Sequence, residues 1–197
     1  MTDAARHDLV TAALRDSIRL REQVLASHVP AIVDVGRRLG ACLLRGHTVF
    51  LCGNGGSAAD SQHIAAEIVG RFKAERRGLP AIALTTDTSA ITAIANDYGY
   101  EVVFARQLEA LARPGDMLVG ISTSGNSPNV VAAVRTAARL GVETVVLTGG
   151  TGGLLAGIAD CVVCVPETDT ARIQEVHIMV GHLACEMAER TVLEDAR

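Results

Sequence analysis

The chain has 197 residues, near the upper end of what one hydrophobic core supports, and it is 49% hydrophobic and 20% charged, a balance that excludes disorder and coiled coils. Its formal net charge is −4, Lys73 is its one lysine, and Phe50, Phe72, Tyr98, Tyr100 and Phe104 are its aromatic residues. Without a basic run or a stacking platform, nucleic acid is not an expected partner, and Schiff-base or Walker-type lysine chemistry would have to fall on Lys73 alone.

The first stretch mixes acids and arginines with apolar residues, unlike a signal peptide, and no apolar run of about 18 residues could span a membrane. Leu9, Val10, Ala13, Leu14, Ile18, Val24 and Leu25 recur at helical spacing, so they predict a helix. Ile32, Val33, Val35, Leu39, Leu43 and Leu44 predict a second helix after Pro30. Five short apolar runs then predict strands: "HTVFLCG" (47–53), "PAIALTT" (80–86), "DMLVGIS" (116–122), "ETVVLTG" (143–149) and "CVVCVP" (161–166). Between them lie helical patterns at about 57–73, 88–112, 128–140 and 153–159, and a last helix at about 171–192.

This alternation predicts an α/β fold, a three-layer αβα sandwich around a five-stranded parallel sheet, with N-terminal helices at about 1–45 and the core at about 46–197 of a single domain. Ligands bind such sheets beyond the carboxyl ends of the strands, where the polar glycine and serine loops fall. The cysteines Cys42, Cys52, Cys161, Cys164 and Cys185 sit in apolar stretches and predict buried, reduced thiols in a cytosolic protein. Cys161 and Cys164 form C-x-x-C, but three residues apart on a strand they face opposite sides, against a redox or metal role.

The first loop, "GNGGSA", can be aligned with a dinucleotide fingerprint through Gly53, Gly55 and Ala58. That site also needs an acid roughly 20 residues on, at the end of the next strand, and here that strand ends far later, at Asp87. A glycine turn that brings backbone N–H groups to a polar ligand remains. The second loop, "STSGNSPN" (122–129), places Ser122, Thr123, Ser124 and Ser127 around one glycine before the helix "VVAAVRTAARL". Hydroxyls and free amides at a helix start complement a phosphate without a cation. One or two hydroxyls would suffice for a helix cap.

His63 and Glu67 lie at i and i+4 on one helix face, beside Ala65 and Ala66. In "ARIQEVHIMVGHLACEM" the expected core stripe is Ile173, Val176, Val180, Leu183 and Met187. Gln174 and His182 lie off it, about 80° apart around the helix but about 12 Å apart along it. His177 reads as structural or as bonded to a neighbouring subunit, and His7, His28 and His47 as surface residues.

"CGNGGSAADSQHIAAE", "LTTDTSAITAIANDYGY", "GISTSGNSPN" and "ARIQEVHIMVGH" together resemble the phosphoheptose isomerases of the sugar isomerase (SIS) domain family, over nearly the whole chain. The resemblance implies a flavodoxin-like SIS fold and a cytoplasmic homotetramer with active sites between subunits. It also implies an aldose–ketose isomerase converting sedoheptulose 7-phosphate into D-glycero-D-manno-heptose 7-phosphate through an enediol, the first step of activated heptose biosynthesis. By motif, Asn54, Gly55, Gly56, Glu67, Asn96, Asp97, Ser122, Thr123, Ser124, Ser127 and Gln174 would bind substrate. His63, Glu67, Gln174 and His182 would hold one zinc ion per subunit, Glu67 and His182 also serving as base and acid. A replication-initiator-associating adaptor of the same fold, the non-catalytic alternative, has a similar "TAIAND" and "ARIQE" but departs at catalytic positions. This chain keeps Glu67, "STSGNS" and His182.

Overall fold

In the computed structural model, which describes residues 1–195, five strands run parallel: β1 (Val49–Gly53), β2 (Ala81–Ala83), β3 (Met117–Ser122), β4 (Glu143–Gly149) and β5 (Cys161–Val165). Their order is β2-β1-β3-β4-β5, with Val49 level with both Ala81 and Met117. Chain direction across the sheet reverses between β1 and β3, so the loops after these two strands flank a topological switch point. Residues 196 and 197, at the end of the expected core, lie outside the described residues.

β-Branched runs without polar alternation became strands covered on both faces. Val49, Leu51, Val119, Ile121, Val145 and Leu147 point into a core shared with α1 (Asp3–Ser27), α2 (Val29–Leu44), α3 (Gly56–Val69) and α7 (Thr170–Asp195). Their alternates Phe50, Cys52, Leu118 and Val146 point into a second core under α5 (Val103–Leu111) and α6 (Pro128–Arg139). The three-layer sandwich with leading helices is thus the observed architecture.

Several boundaries differ from expectation, each for a local reason. The helix expected over 88–112 is broken into α4 (Thr88–Tyr98), a 3₁₀ turn (Tyr100–Val102) and α5, because Gly99 takes φ +94°, a left-handed conformation that ends α4. α3 stops at Val69, capped by Gly70, so Phe72 and Lys73 lie in the following loop. The segment 153–159 holds only a 3₁₀ turn (Leu155–Gly157), between the positive-φ Gly152 and Gly153 and the next strand. β2 is an edge strand reduced to three residues. On α7, Leu183 is exposed and Ala184, Cys185 and Ala188 are buried in its place, because the apolar stripe drifts around so long a helix.

On α1 the buried face is narrower than the apolar row. Ser17, Leu20 and Val24 face the core, whereas Leu9, Val10, Leu14, Ile18 and Leu25 of that row are 54–71% exposed. His28 and His47 are half-buried rather than purely surface residues: His28 Nε2 lies 2.8 Å from the Cys164 carbonyl oxygen, and His47 Nδ1 lies 3.7 Å from Asp116. The cysteines are free, with Cys164 half-exposed and the others buried. Burial pushes the Cys161 thiol up to about 11, which removes the thiolate that redox chemistry would need.

His177 is structural. It is fully buried, its Nε2 donates to the Thr148 carbonyl at 3.0 Å, and its Nδ1 has no partner. Burial lowers its pKa to about 4, against the opposing pull of the Thr148 bond. The unfolded chain therefore takes up this proton as pH falls through about 6.5, while the folded chain resists until about 4, so stability present above 6.5 is lost between these values. In His177→Gln, whose amide can still donate to Thr148, the stability difference from the parent should shift by about 2 kcal/mol between pH 7 and pH 5. Urea denaturation at the two pH values measures it, and a pH-independent difference would contradict the assignment.

Candidate active site

The loop after β1 begins at Asn54, and Gly55, at φ +56°, turns it into the start of α3 without any side-chain cap. Gly56 lies against Gln174: a Cβ there would stand 2.7 Å from Gln174 Nε2, so the amide would have to shift. Asn54 is fixed by a reciprocal amide pair with the buried Asn129 of α6: Asn54 Nδ2 donates to Asn129 Oδ1 at 2.9 Å and Asn129 Nδ2 to Asn54 Oδ1 at 2.8 Å. The Tyr100 hydroxyl donates to the same Asn54 oxygen at 3.2 Å. These bonds tie the first loop to the second.

In the second loop Ser122 Oγ lies 2.9 Å from Ser127 Oγ and 3.5 Å from Ser124 Oγ. Ser127 occupies the N-cap position of α6, yet its side chain makes no capping bond, so its hydroxyl is not consumed by the bland role that serines have at helix starts. A cavity of about 310 Å³ opens between the two loops, lined among others by Asn54, Gly55, Gly56, Ser122, Thr123, Ser127 and Gln174. Among the described residues that line it there is no lysine or arginine. Two helix N-termini meet there, α3 and α6, whose dipoles favour an anion.

A second cluster lies further along α3 and α7. His63 Nε2 is 2.9 Å from His182 Nε2 and 3.4 Å from Glu67 Oε1, and the donor atoms of all three lie within 4.8 Å of one another. Nitrogen and oxygen donors at such spacing fit a divalent ion, whose ligands, at about 2 Å each, stand about 3–4 Å apart. Asp60, one turn before His63, adds a buried Oδ2 without a hydrogen-bond partner. Burial raises its pKa, against the pull of His63 and His182. The rise from Gly56 to His63 on α3, and from Gln174 to His182 on α7, is about 10–12 Å. The two helices run side by side in the same direction, so the cavity and the cluster lie about two helical turns apart along the same helix pair.

Gln174 belongs to the cavity end, its amide against Gly56. Asn96 and Asp97 are exposed on α4, Asn96 Nδ2 donating to Asp97 Oδ1 at 2.8 Å, and neither lines the cavity. Sequence reasoning missed Asn129, Tyr100, Asp60 and Phe72, whose ring stacks on the His182 imidazole at 5.7 Å. Asp60 had a usable signal, since 60, 63 and 67 share one helical face. Asn129 had none, because its partner lies 75 residues away. A wider recess of about 530 Å³ at Arg38, Glu143 and Asp160 lies at the opposite, amino end of the strands, where Arg38 pairs with Asp34 and Glu143.

Residues 14–149 match the SIS domain family. The chain belongs to the SIS domain family. It is 58% identical over 179 residues to a phosphoheptose isomerase of Roseiflexus sp. (strain RS-1), covering 91% of each chain. The phosphoheptose isomerase GmhA of Neisseria gonorrhoeae superposes with a TM-score of 0.89 at 44% identity, over 93% of this chain and 98% of that one. A phosphoheptose isomerase of Francisella tularensis gives 0.91 at 36% identity, over 96% and 100%. The two SIS loops therefore sit on a shared scaffold, with their hydroxyls and amides converging on one cavity.

Inorganic phosphate is the simplest probe of that cavity. Ser127→Ala removes one hydroxyl from the cradle and no capping bond, so phosphate affinity should fall about tenfold with little change in melting temperature. Isothermal titration calorimetry reads the affinity; equal binding by both proteins would take Ser127 out of the cradle.

Proposed function

We propose that the chain isomerises sedoheptulose 7-phosphate to D-glycero-D-manno-heptose 7-phosphate, an aldose–ketose exchange, as a zinc-dependent cytoplasmic homotetramer. The observation that carries the chemistry is the Glu67–His63–His182 cluster, about two helical turns from a cation-free cavity of hydroxyls and amides. That separation is comparable to the length of an extended heptose phosphate from its anionic end to its carbonyl. The identity to phosphoheptose isomerases along nearly the entire chain supports the same substrate, and favours catalysis over a non-catalytic adaptor role.

Ser122, Thr123, Ser124 and Ser127 hold the phosphate, while Asn54, Gly55 and Gly56 orient the sugar chain above the first loop. Glu67 takes a proton from C1 of the open-chain ketose and returns it to C2. His182 moves the hydroxyl proton from O1 to O2 as the enediol forms and collapses. The donor set of His63, Glu67 and His182 suits zinc, which when bound would supply Lewis acidity to the substrate oxygens; the resemblance adds Gln174, whose amide here lies at the cavity end.

The exposed apolar row of α1 supports association with further copies, because Val10, Leu14 and Ile18 repeat every turn along one solvent-facing edge. Free, mostly buried thiols fit a reducing compartment. Among the described residues no helix is long and apolar enough to cross a membrane.

Incubation with sedoheptulose 7-phosphate, followed by NMR for the aldose, tests the activity. Glu67→Gln should keep phosphate binding and folding while turnover falls at least about 100-fold; near-normal turnover would remove Glu67 as the base. Verified metal removal should abolish activity and zinc should restore it. An unchanged rate in the stripped protein would refute the metal requirement.

A further inference from the structure

α7 presents His182, Glu186 and Glu189 at i, i+4 and i+7, on one face. The segment that follows α3, Arg71 to Arg76, is bound to that face. The buried Glu189 carboxylate accepts backbone N–H bonds from Phe72 at 3.0 Å, Lys73 at 2.9 Å and Ala74 at 2.8 Å, and one from Arg76 Nε at 3.0 Å. Those four donors fill a carboxylate's accepting capacity. Burial alone would raise the Glu189 pKa, but the three N–H groups and Arg76 outweigh it and hold the group below the ordinary range. Arg76, equally buried, donates onward from Nη2 to the Glu67 carbonyl at 2.9 Å and from Nη1 to that of Ile68 at 3.0 Å.

The clamp therefore reaches both groups that the proposed chemistry uses. On one side it grips the backbone of Glu67. On the other it sets Phe72, whose ring stacks on His182 with planes 29° apart. Lys73 Nζ lies 5.3 Å from the Phe72 ring centroid and pairs with Glu186 at 2.7 Å. A buried carboxylate–guanidinium pair gives little stability over an apolar pair of the same shape. What this one supplies is a fixed position for a loop without regular structure.

We propose that Phe72 is a positioning residue that holds the His182 imidazole for reaction, and that the Glu189–Arg76 pair sets the place of Phe72. The inference rests on the reading of His182 as a reacting group. The test uses full-length protein with sedoheptulose 7-phosphate, and measures kcat and KM separately for Phe72→Leu, Phe72→Met, Phe72→Tyr and Glu189→Gln beside His182→Gln.

Phe72→Leu and Phe72→Met fill the space without a ring, so kcat should fall about tenfold or more with KM within about twofold. Phe72→Tyr keeps the ring and should recover most of the loss. Glu189→Gln should lower kcat in the same way, and combining it with Phe72→Leu should cost less than the product of the two single effects. Normal kcat in both ringless variants beside an inactive His182→Gln would overturn the positioning role alone, as would a rise in KM without a fall in kcat. Normal turnover in His182→Gln would remove the reading of the site, and this inference with it.

Discussion

The close approach of α3 and α7 is the constraint on which the site depends. Two glycines permit it: Gly56 leaves room for the Gln174 amide, and at Gly181 a Cβ would lie 2.5 Å from Ile64 Cδ1. A Cβ at Gly56 would displace the amide end of Gln174, and one at Gly181 would also meet Ile64 Cγ1 at 2.8 Å and force Ile64 to shift beside His63 and His182. Gly181 immediately precedes His182 and Ile64 immediately follows His63, so the contact that packs the helices also sets the 2.9 Å spacing of the two imidazole nitrogens. Core packing and donor geometry are here the same interaction.

The cavity and the cluster pose different electrostatic problems. At the cavity, hydroxyls and amides stand at two helix starts with no lysine or arginine among the described lining residues, a setting that suits an anion without a cation to desolvate. At the cluster, donors with lone pairs face one another at close range, and Asp60 adds a buried acceptor without a partner. Such a cluster is costly unless protons or a cation lie between the groups. The cavity lies at the sheet's switch point, and the histidine–carboxylate cluster lies about two helical turns further along.

Much of this was legible in the residues. Strand runs with β-branched side chains gave the sheet, and the polar loops after "HTVFLCG" and "DMLVGIS" marked its ligand edge. His63 and Glu67 could be paired by helical spacing alone. What spacing could not supply was the neighbour on the facing helix: His182 is 119 residues from His63, and no periodicity links them without the fold. The same holds for Asn54 and Asn129. On α1 the helix was legible from its apolar spacing, but most of that apolar row faces away from this chain's core. Gly99 shows another kind of failure, since helical patterns continue on both sides of it and only its positive φ divides them.

α7 also explains why the terminal helix is long, 26 residues, when its apolar stripe drifts and its core contacts alternate between large and small side chains. Each turn is occupied by a different task. Gln174 meets the first loop, His177 bonds the end of β4 through Thr148, His182 faces α3, and Glu189 binds the loop beyond α3. A helix is rigid over this length, about 39 Å, so these four contacts cannot adjust independently. Fixing the carbonyl of Thr148 at one end and the backbone of residues 72–74 at the other leaves His182, between them, little freedom to slide along α3. The buried polar contacts of α7 fix the register of one helix against the sheet edge, and that register places the imidazole.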